Sequence, residues 1–570
     1  MNSNFLSRIR FFSVFIFLFA GVLITKLFFV QVVHSASYAE RADGQYATPS
    51  SDIFDRGSIF FKTKDGNLVS AATIKAGFKV AIHPNKISDP QALYEELNKI
   101  IELDEETFLK RASKKNDPYE EVATKISKID ADTIDEQNLT GVSIFKQKWR
   151  FYPGESLASN SLGFVAFNDD DLSGRYGLER FYNDVLGRAS EELYVNFFAE
   201  IFTNLNSVIF NDDERDGDII TTIEPSVQSF LETTLFDLKD KWGSESAGGI
   251  IINPTTGAIY AMANVPNFDL NNFSDVSSSK IFTNPLVENV FEYGSIIKPL
   301  VMAAGLDAGV ITSETEYFDK GFVVVEDSTI NNFDKKGRGL VTMQDVLNQS
   351  LNTGSVFVMN KLGRTDFKKY LLSYGIGEKT GIDLPSETSG LVSNLNSKRD
   401  IEYATASFGQ GIALTPVEAV RAFSVLANGG KLITPHLVEK IDYRGGGTKE
   451  LTYDTEPVQV IKPETSEEIS RMLATVADIS LPNKDTHLSR YNVAVKTGTA
   501  QIANLNEGGY YDDRHLHSLF GYFPAYNPEF LVLLYNVYPK NVRYSVQTLG
   551  DPFLETTRFL LNYYNVAPDR

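Results

Sequence analysis

Three short strings constrain this chain more than anything else in it: Ser295-Ile296-Ile297-Lys298, Ser350-Leu351-Asn352 and Lys496-Thr497-Gly498-Thr499, in that order. Each alone is ordinary: a helix cap with a solvated lysine, a turn, a buried strand running into small residues. Together they supply the parts of one reaction, so the fold must bring a helix start, a turn and a strand to one place. A serine hydroxyl is a weak nucleophile unless a base takes its proton. Residues three apart on a helix share a face, which predicts Ser295 and Lys298 within hydrogen-bond range. A lysine serves as a base only where burial or a second cation lowers its pKa. Lys496 is that cation if its strand lies beside the helix. Ser350 and Asn352 then bridge the groups, passing a proton and holding Lys298 in place. Pro299 suits a first helical turn. That sets Ser295 at or beside a helix start, with its own N–H open to a developing oxyanion.

At 570 residues the chain exceeds one core, and two or three domains are expected. Its net charge of −20 argues against a nucleic-acid or anionic-lipid surface. Cysteine is absent, which excludes disulfides and thiolate metal sites. The compartment is read from residues 11–33, a nearly continuous apolar stretch long enough to span a bilayer, with Lys26 as its only charge. Arg8 and Arg10 stand just before it, placing residues 1–10 in the cytoplasm by the positive-inside rule. Lys26 snorkels or faces a partner helix. A cleaved signal peptide is the rival reading, because Ser35-Ala36-Ser37 follows; the length of the apolar stretch favours an uncleaved anchor. The rest of the chain, with no second comparable span, is expected outside the cytoplasmic membrane.

Beyond the anchor, the strings around Ile53 to Phe60 and Asp65 to Leu68 predict two short strands with turns. Ser88-Asp89-Pro90 opens a helical, charge-rich tract to about Asn138, with Leu93, Leu97, Ile100 and Ile101 at helical spacing. Residues 150–154 and 174–179 read as loop-rich ground. The polar run 211–218 reads as an edge of the first domain. From Gly248 the pattern changes. Gly249 to Met262 predicts a β-hairpin. Thr415-Pro416-Val417-Glu418 is a capping box opening a helix with Val420, Phe423 and Ala427 as its inner stripe and Gly429 as its stop. Residues 519–523 and 530–537 read as strands and 552–564 as a closing helix. Strands at both ends with helices between predict an α+β domain with one mixed sheet, sandwiched by helices, that the chain leaves and rejoins.

With these residues in hand, the chain resembles the class B penicillin-binding proteins, peptidoglycan transpeptidases of D,D specificity. Besides the three motifs, Ala406-Ser407-Phe408-Gly409-Gln410-Gly411, Leu426-Ala427-Asn428-Gly429-Gly430 and Asn253-Pro254 through Asn264-Val265-Pro266 look like family sequence. In the first domain, Asp55-Arg56-Gly57 and Tyr176-Gly177-Leu178-Glu179 resemble the non-catalytic pedestal of that class. The resemblance implies a dimerisation-like, elongated mixed α/β pedestal over residues 34–235 and a transpeptidase domain over 236–570. It implies that Ser295 is the acylated nucleophile, Lys298 its base and Ser350 a proton relay. Asn352 would bond the substrate peptide, and Lys496, Thr497, Gly498 and Thr499 would line the site for its terminal carboxylate. The backbone N–H groups of Ser295 and Thr499 would form the oxyanion hole. Three positions depart from the family pattern: Tyr293, the Ile296-Ile297 pair and Val495. None removes a reacting group; all bear on the groove beside Ser295 and hence on β-lactam sensitivity. Asn352 followed by Thr353-Gly354 looks more like the division type than the elongation type, which often has aspartate there. No cofactor is implied. The implied partners are stem peptides ending in D-Ala-D-Ala, β-lactams, the cytoplasmic membrane and a polytopic glycan polymerase.

A D,D-carboxypeptidase uses the same residues with water as acceptor, and a membrane-bound β-lactam sensor or scaffold uses them for binding alone; both readings stay open on sequence. A β-lactamase is opposed by the anchor and the large first domain. His515 and His517 share a strand face, but a zinc site needs more ligands than two, so no metal is assigned.

Overall fold

The computed structural model of the protein describes residues 55–168, 171–188, 216–276, 278–454, 457–481, 488–504 and 508–570. The expected anchor at residues 11–33 lies outside them. Among the described residues, no helix is long and apolar enough to cross a membrane. The chain divides into two compact units. Of the described residues, one unit holds Ile74–Trp149; the other holds Arg56–Thr73, Arg150–Arg188 and those from residue 216 to Arg570.

In the smaller unit, the helices Pro90–Asn98, Glu105–Ala112 and Lys128–Glu136 are capped by Asp89, Asp104 and Ser127. Each cap's side-chain oxygen accepts a backbone N–H of the first turn that has no helical partner. Leu93, Leu97, Phe108 and Ile134 join Val80 and Ile82 in its core. The continuous helical tract expected to about Asn138 is interrupted by the strand Glu120–Ile126, which pairs antiparallel with residues 78–82. Its sequence, Glu-Glu-Val-Ala-Thr-Lys-Ile, is half-buried and carries no clean alternation, so its pairing comes from the neighbouring strand rather than its own pattern.

Besides three two-stranded ribbons, the described residues of the larger unit contribute strands to two larger sheets. In one, Gly217–Thr221 lies between Ile59–Lys62, parallel, and Val438–Tyr443, antiparallel. The other has the order Ala494–Ala503, Tyr510–Phe523, Phe530–Val537, Ser246–Ile252, Ile259–Val265. The predicted hairpin and both late strands are present in this second sheet, and the chain does leave it and rejoin it. Every pairing in it is antiparallel, which corrects the expected mixed sheet: hairpins join its consecutive strands, and the long excursion returns to the opposite edge. Helices cover both faces. Phe520 stacks on Phe423 of Pro416–Ala427, while the bare Cα of the next residue, Gly521, leaves room for the Phe553 ring of Ser545–Tyr563. Adjacent strand residues face opposite ways, so these helices lie on opposite faces. The helix Pro416–Ala427 has the predicted capping box but is buried all round, not along one stripe. The helix Pro225–Trp242 stacks Phe230 on Phe559 of the closing helix. The expected boundary between residues 235 and 236 falls inside it. The stretch 174–179, read as loop, begins the short helix Gly177–Phe181.

Candidate active site

Ser295 lies half-buried in the one-turn 3-10 helix Gly294–Ile297, which runs directly into the helix Lys298–Asp307 with Pro299 in its first turn. Two glycines allow the turn to press against the edge strand. Gly294 has φ of 64°, and a Cβ on Gly498 would stand 2.5 Å from the Tyr293 carbonyl oxygen. Ser518, on the next strand, donates to that carbonyl at 3.1 Å and pins the turn to the sheet. From behind, the Gly294 N–H donates to the Gly409 carbonyl at 3.1 Å. The string Phe408-Gly409-Gln410-Gly411 therefore backs the turn that carries Ser295.

The second motif forms an elbow between the helices Met343–Asn348 and Asn352–Ser373. Ser350 sits at its apex with φ of 54°, a left-handed conformation costing a residue other than glycine roughly 1–2 kcal/mol. Lys298 Nζ donates to the Ser350 carbonyl at 2.5 Å, to Ser350 Oγ at 3.2 Å and to Asn352 Oδ1 at 2.8 Å. An ammonium can serve all three acceptors, whereas the neutral amine has two N–H groups and a lone pair to share among these contacts. The Asn352 amide is fixed at its other end too, its Nδ2 donating to the Asn331 carbonyl at 2.9 Å. Lys496 reaches the same serine, its Nζ donating to Ser350 Oγ at 3.1 Å and to the Thr497 carbonyl at 3.0 Å.

Two cations thus converge on one hydroxyl, with side-chain burial nearly complete at both: Lys298 is 1% exposed and Lys496 2%. Burial, reinforced by the Lys496 charge, pulls Lys298 well below the ordinary lysine value, and burial draws Lys496 down to about 7. Lys298, which also feels the charge of Lys496, therefore gives up its proton more readily than an ordinary lysine.

The structure brings together Lys298, Ser350, Asn352 and Lys496, with Ser295 one helical turn from Lys298. It changes one expectation. Among the described residues no hydrogen bond joins Ser295 to Lys298, because the Ser350 elbow presents closer acceptors. Lys496 and Gly498 pair with Phe520 and Ser518, which sets them on the face of the helix Pro416–Ala427. Thr497 and Thr499 alternate to the other face, where the Thr499 hydroxyl accepts the Ser545 N–H at 3.1 Å. Sequence reasoning missed Asn331, Ser518 and the role of Gly409: one acts through its backbone, one is a lone small residue, and the third was quoted without a contact. His515 and His517 lie on the strand Tyr510–Phe523. The His517 ring nitrogens meet Thr548 Oγ1 at 2.8 Å and the Arg543 carbonyl at 3.1 Å, and burial pulls its pKa to about 4.

Residues 247–553 match the penicillin-binding protein transpeptidase domain, and residues 55–196 the penicillin-binding protein dimerisation domain. The chain is 29% identical to stage V sporulation protein D of Bacillus subtilis strain 168, covering 95% of this chain and 83% of that one. It is 24% identical to the peptidoglycan D,D-transpeptidase FtsI of Buchnera aphidicola subsp. Baizongia pistaciae, covering 100% and 97%. Its fold is similar to that of penicillin binding protein 2X from Streptococcus thermophilus, with a TM-score of 0.71 at 21% identity over 90% of this chain and 80% of that one. A serine, two desolvated lysines and a bridging hydroxyl, carried on these two matched domains, place the chain in the class B penicillin-binding proteins, the serine peptidoglycan D,D-transpeptidases.

Proposed function

We propose that Ser295 is the nucleophile of this transpeptidase and that Lys298, in its neutral form, is its base. Ser295 Oγ attacks the carbonyl carbon of the penultimate D-alanine. Its proton passes to Lys298, and the terminal D-alanine leaves as the amine, taking a proton back. An amine of a second stem peptide then attacks the acyl-enzyme ester and releases Ser295, closing the cross-link. The observation that carries this reading is the Ser350 hydroxyl, 3.2 Å from Lys298 Nζ and 3.1 Å from Lys496 Nζ, a bridge for the proton. Lys496 in its charged form attracts the substrate's terminal carboxylate at the strand edge that also carries Thr497 and Thr499. The backbone N–H groups of Ser295 and Thr499 receive the oxyanion; fixed donors need no reorganisation as charge develops there.

Residues 11–33 anchor the chain in the cytoplasmic membrane with residues 1–10 inside, and the catalytic unit works outside it. A polytopic glycan polymerase is the partner. The division role is favoured over elongation by Asn352: its amide donates to the Asn331 carbonyl, which an aspartate there does not do.

Intact-mass measurement with a penicillin tests the nucleophile. A single adduct on the wild type and none on Ser295→Ala is expected; an adduct surviving in the variant overturns the assignment. With a stem-peptide thioester, transfer to an added amine is expected to exceed hydrolysis. Hydrolysis alone would make the protein a carboxypeptidase, and acylation without turnover a sensor.

A further inference from the structure

The strand end that receives Asn352 is itself held by a buried carboxylate. Asp319 closes the strand Glu316–Asp319 and is 1% exposed. Its Oδ1 accepts Thr353 Oγ1 at 2.8 Å, the Gly321 N–H at 2.9 Å and Asn332 Nδ2 at 3.0 Å. Its Oδ2 accepts Asn332 Nδ2 at 3.0 Å and the Arg338 N–H at 3.0 Å. Asn332, also 1% exposed, in turn accepts the Thr353 N–H on its Oδ1 at 3.3 Å. Asn332 and Thr353 are the chain neighbours of Asn331 and Asn352, the pair whose hydrogen bond leaves Asn352 Oδ1 aimed at Lys298. One carboxylate therefore fastens the strand end to the first turn of the helix Asn352–Ser373, one residue away from the contact that orients the amide. Its five donor contacts give that attachment a defined geometry, which a purely apolar junction would lack.

We propose that Asp319 is a positioning residue for acylation: through Asn332 and Thr353 it holds Asn352, and through Asn352 it fixes the place of Lys298. This rests on the reading of Lys298 as the base. A purely structural Asp319 would stabilise the short strands and leave the chemistry of the folded molecules alone. The two roles differ in how a loss at Asp319 combines with a loss at Asn352. Residues acting through one another do not give additive effects, whereas independent ones do.

The test measures the second-order rate of acylation by a penicillin against pH, with Tm, for the full chain, Asp319→Ala, Asn352→Ala and the double variant. Asp319→Ala is expected to slow acylation by up to about 100-fold, the scale of a small misplacement at a reacting group. The acid limb of its profile moves to lower pH, because Lys298 loses an acceptor that favours its ammonium form, while Lys496, the charged group facing it, is unchanged. The double variant is expected to be no slower than Asn352→Ala alone. Additive losses, or a lower Tm with rate and limb unchanged, would overturn the proposal. Thr353→Val removes only the hydroxyl between Asp319 and the helix, and decides the matter if Asp319→Ala does not fold. The same limb shift, smaller, is expected, and an unmoved limb overturns the proposal. Lys298→Ala separates the two levels. Wild-type acylation there sinks the base assignment itself, whereas lost acylation alongside additive Asp319 and Asn352 effects sinks only the positioning role.

Discussion

Two buried charge clusters in the larger unit answer the same physical problem in opposite ways. In the first, Glu179 is gripped by two guanidiniums, Arg56 Nε at 2.6 Å and Arg150 Nε at 2.6 Å, with all three side chains at most 4% exposed. Tyr152 donates to the same carboxylate at 3.1 Å, and the arginines also reach Asn183 Oδ1 and the Glu179 and Gly57 carbonyls. In the second, two lysines share the Ser350 hydroxyl, and among the described residues no carboxylate pairs with either. In the first cluster every buried charge touches an opposite one, two guanidiniums sharing one carboxylate, the usual condition for keeping charge inside a protein. The second withholds the counter-ion, so the protein relieves the energy by giving up a proton. Buried charge that serves structure comes paired; buried charge left short of a partner is what the proposed role of Lys298 as a base requires.

Lys298→Met removes the base and one of the two crowded cations. Acylation is expected to fall about 10²–10⁴-fold, the usual worth of general-base catalysis, while Tm rises; a fall in both would show that Lys298 is stabilising, like the first cluster. Glu179→Ala reverses the pattern. It strands two buried guanidiniums and is expected to cost about 3–5 kcal/mol in a denaturation experiment. Acylation per folded molecule should be unchanged, and a loss of rate beyond the folded fraction would erase the distinction.

The lysines also set a pH dependence of stability. Their folded pKa values lie below the unfolded value of 10.5, so between the two the unfolded chain binds more protons and stability rises with pH. For Lys496 that window runs from about 7 up to 10.5. Wild type should gain Tm across it relative to Lys496→Met; parallel curves would contradict the shift. The smallest effect is expected from Asn352→Asp, which gives Lys298 the counter-ion it lacks. It favours the ammonium and moves the acid limb of acylation to higher pH, and an unmoved limb would show that the acceptor at 352 does not tune Lys298.

That the residues of the second cluster meet was legible in the sequence, because the reaction proposed for them limits their identities: only a few side chains can attack, relay or carry the charge. The strings bearing Arg56 and Glu179 were legible as family-like, yet their meeting was not, since nothing local ties residues so far apart. Asp319, Asn331 and Asn332 were invisible for a related reason. They sit at or just past the ends of four-residue strands too short for a period, and all three act on the site through neighbours or backbone. The strand Glu120–Ile126 was hidden by its charges, and the antiparallel order of the main sheet by the long excursion between its edges. The expected boundary at 235 crosses the helix Pro225–Trp242, whose apolar positions join one core with the strand Ser246–Ile252.

The central claim is that Lys298 is neutral beside a charged Lys496. Lysine labelled with ¹³C at Cε, assigned with Lys298→Arg and Lys496→Arg, reports each ammonium's titration directly. The account predicts that Lys298 titrates well below the ordinary lysine value and Lys496 near pH 7. Both resonances titrating together near 10.5 would contradict it.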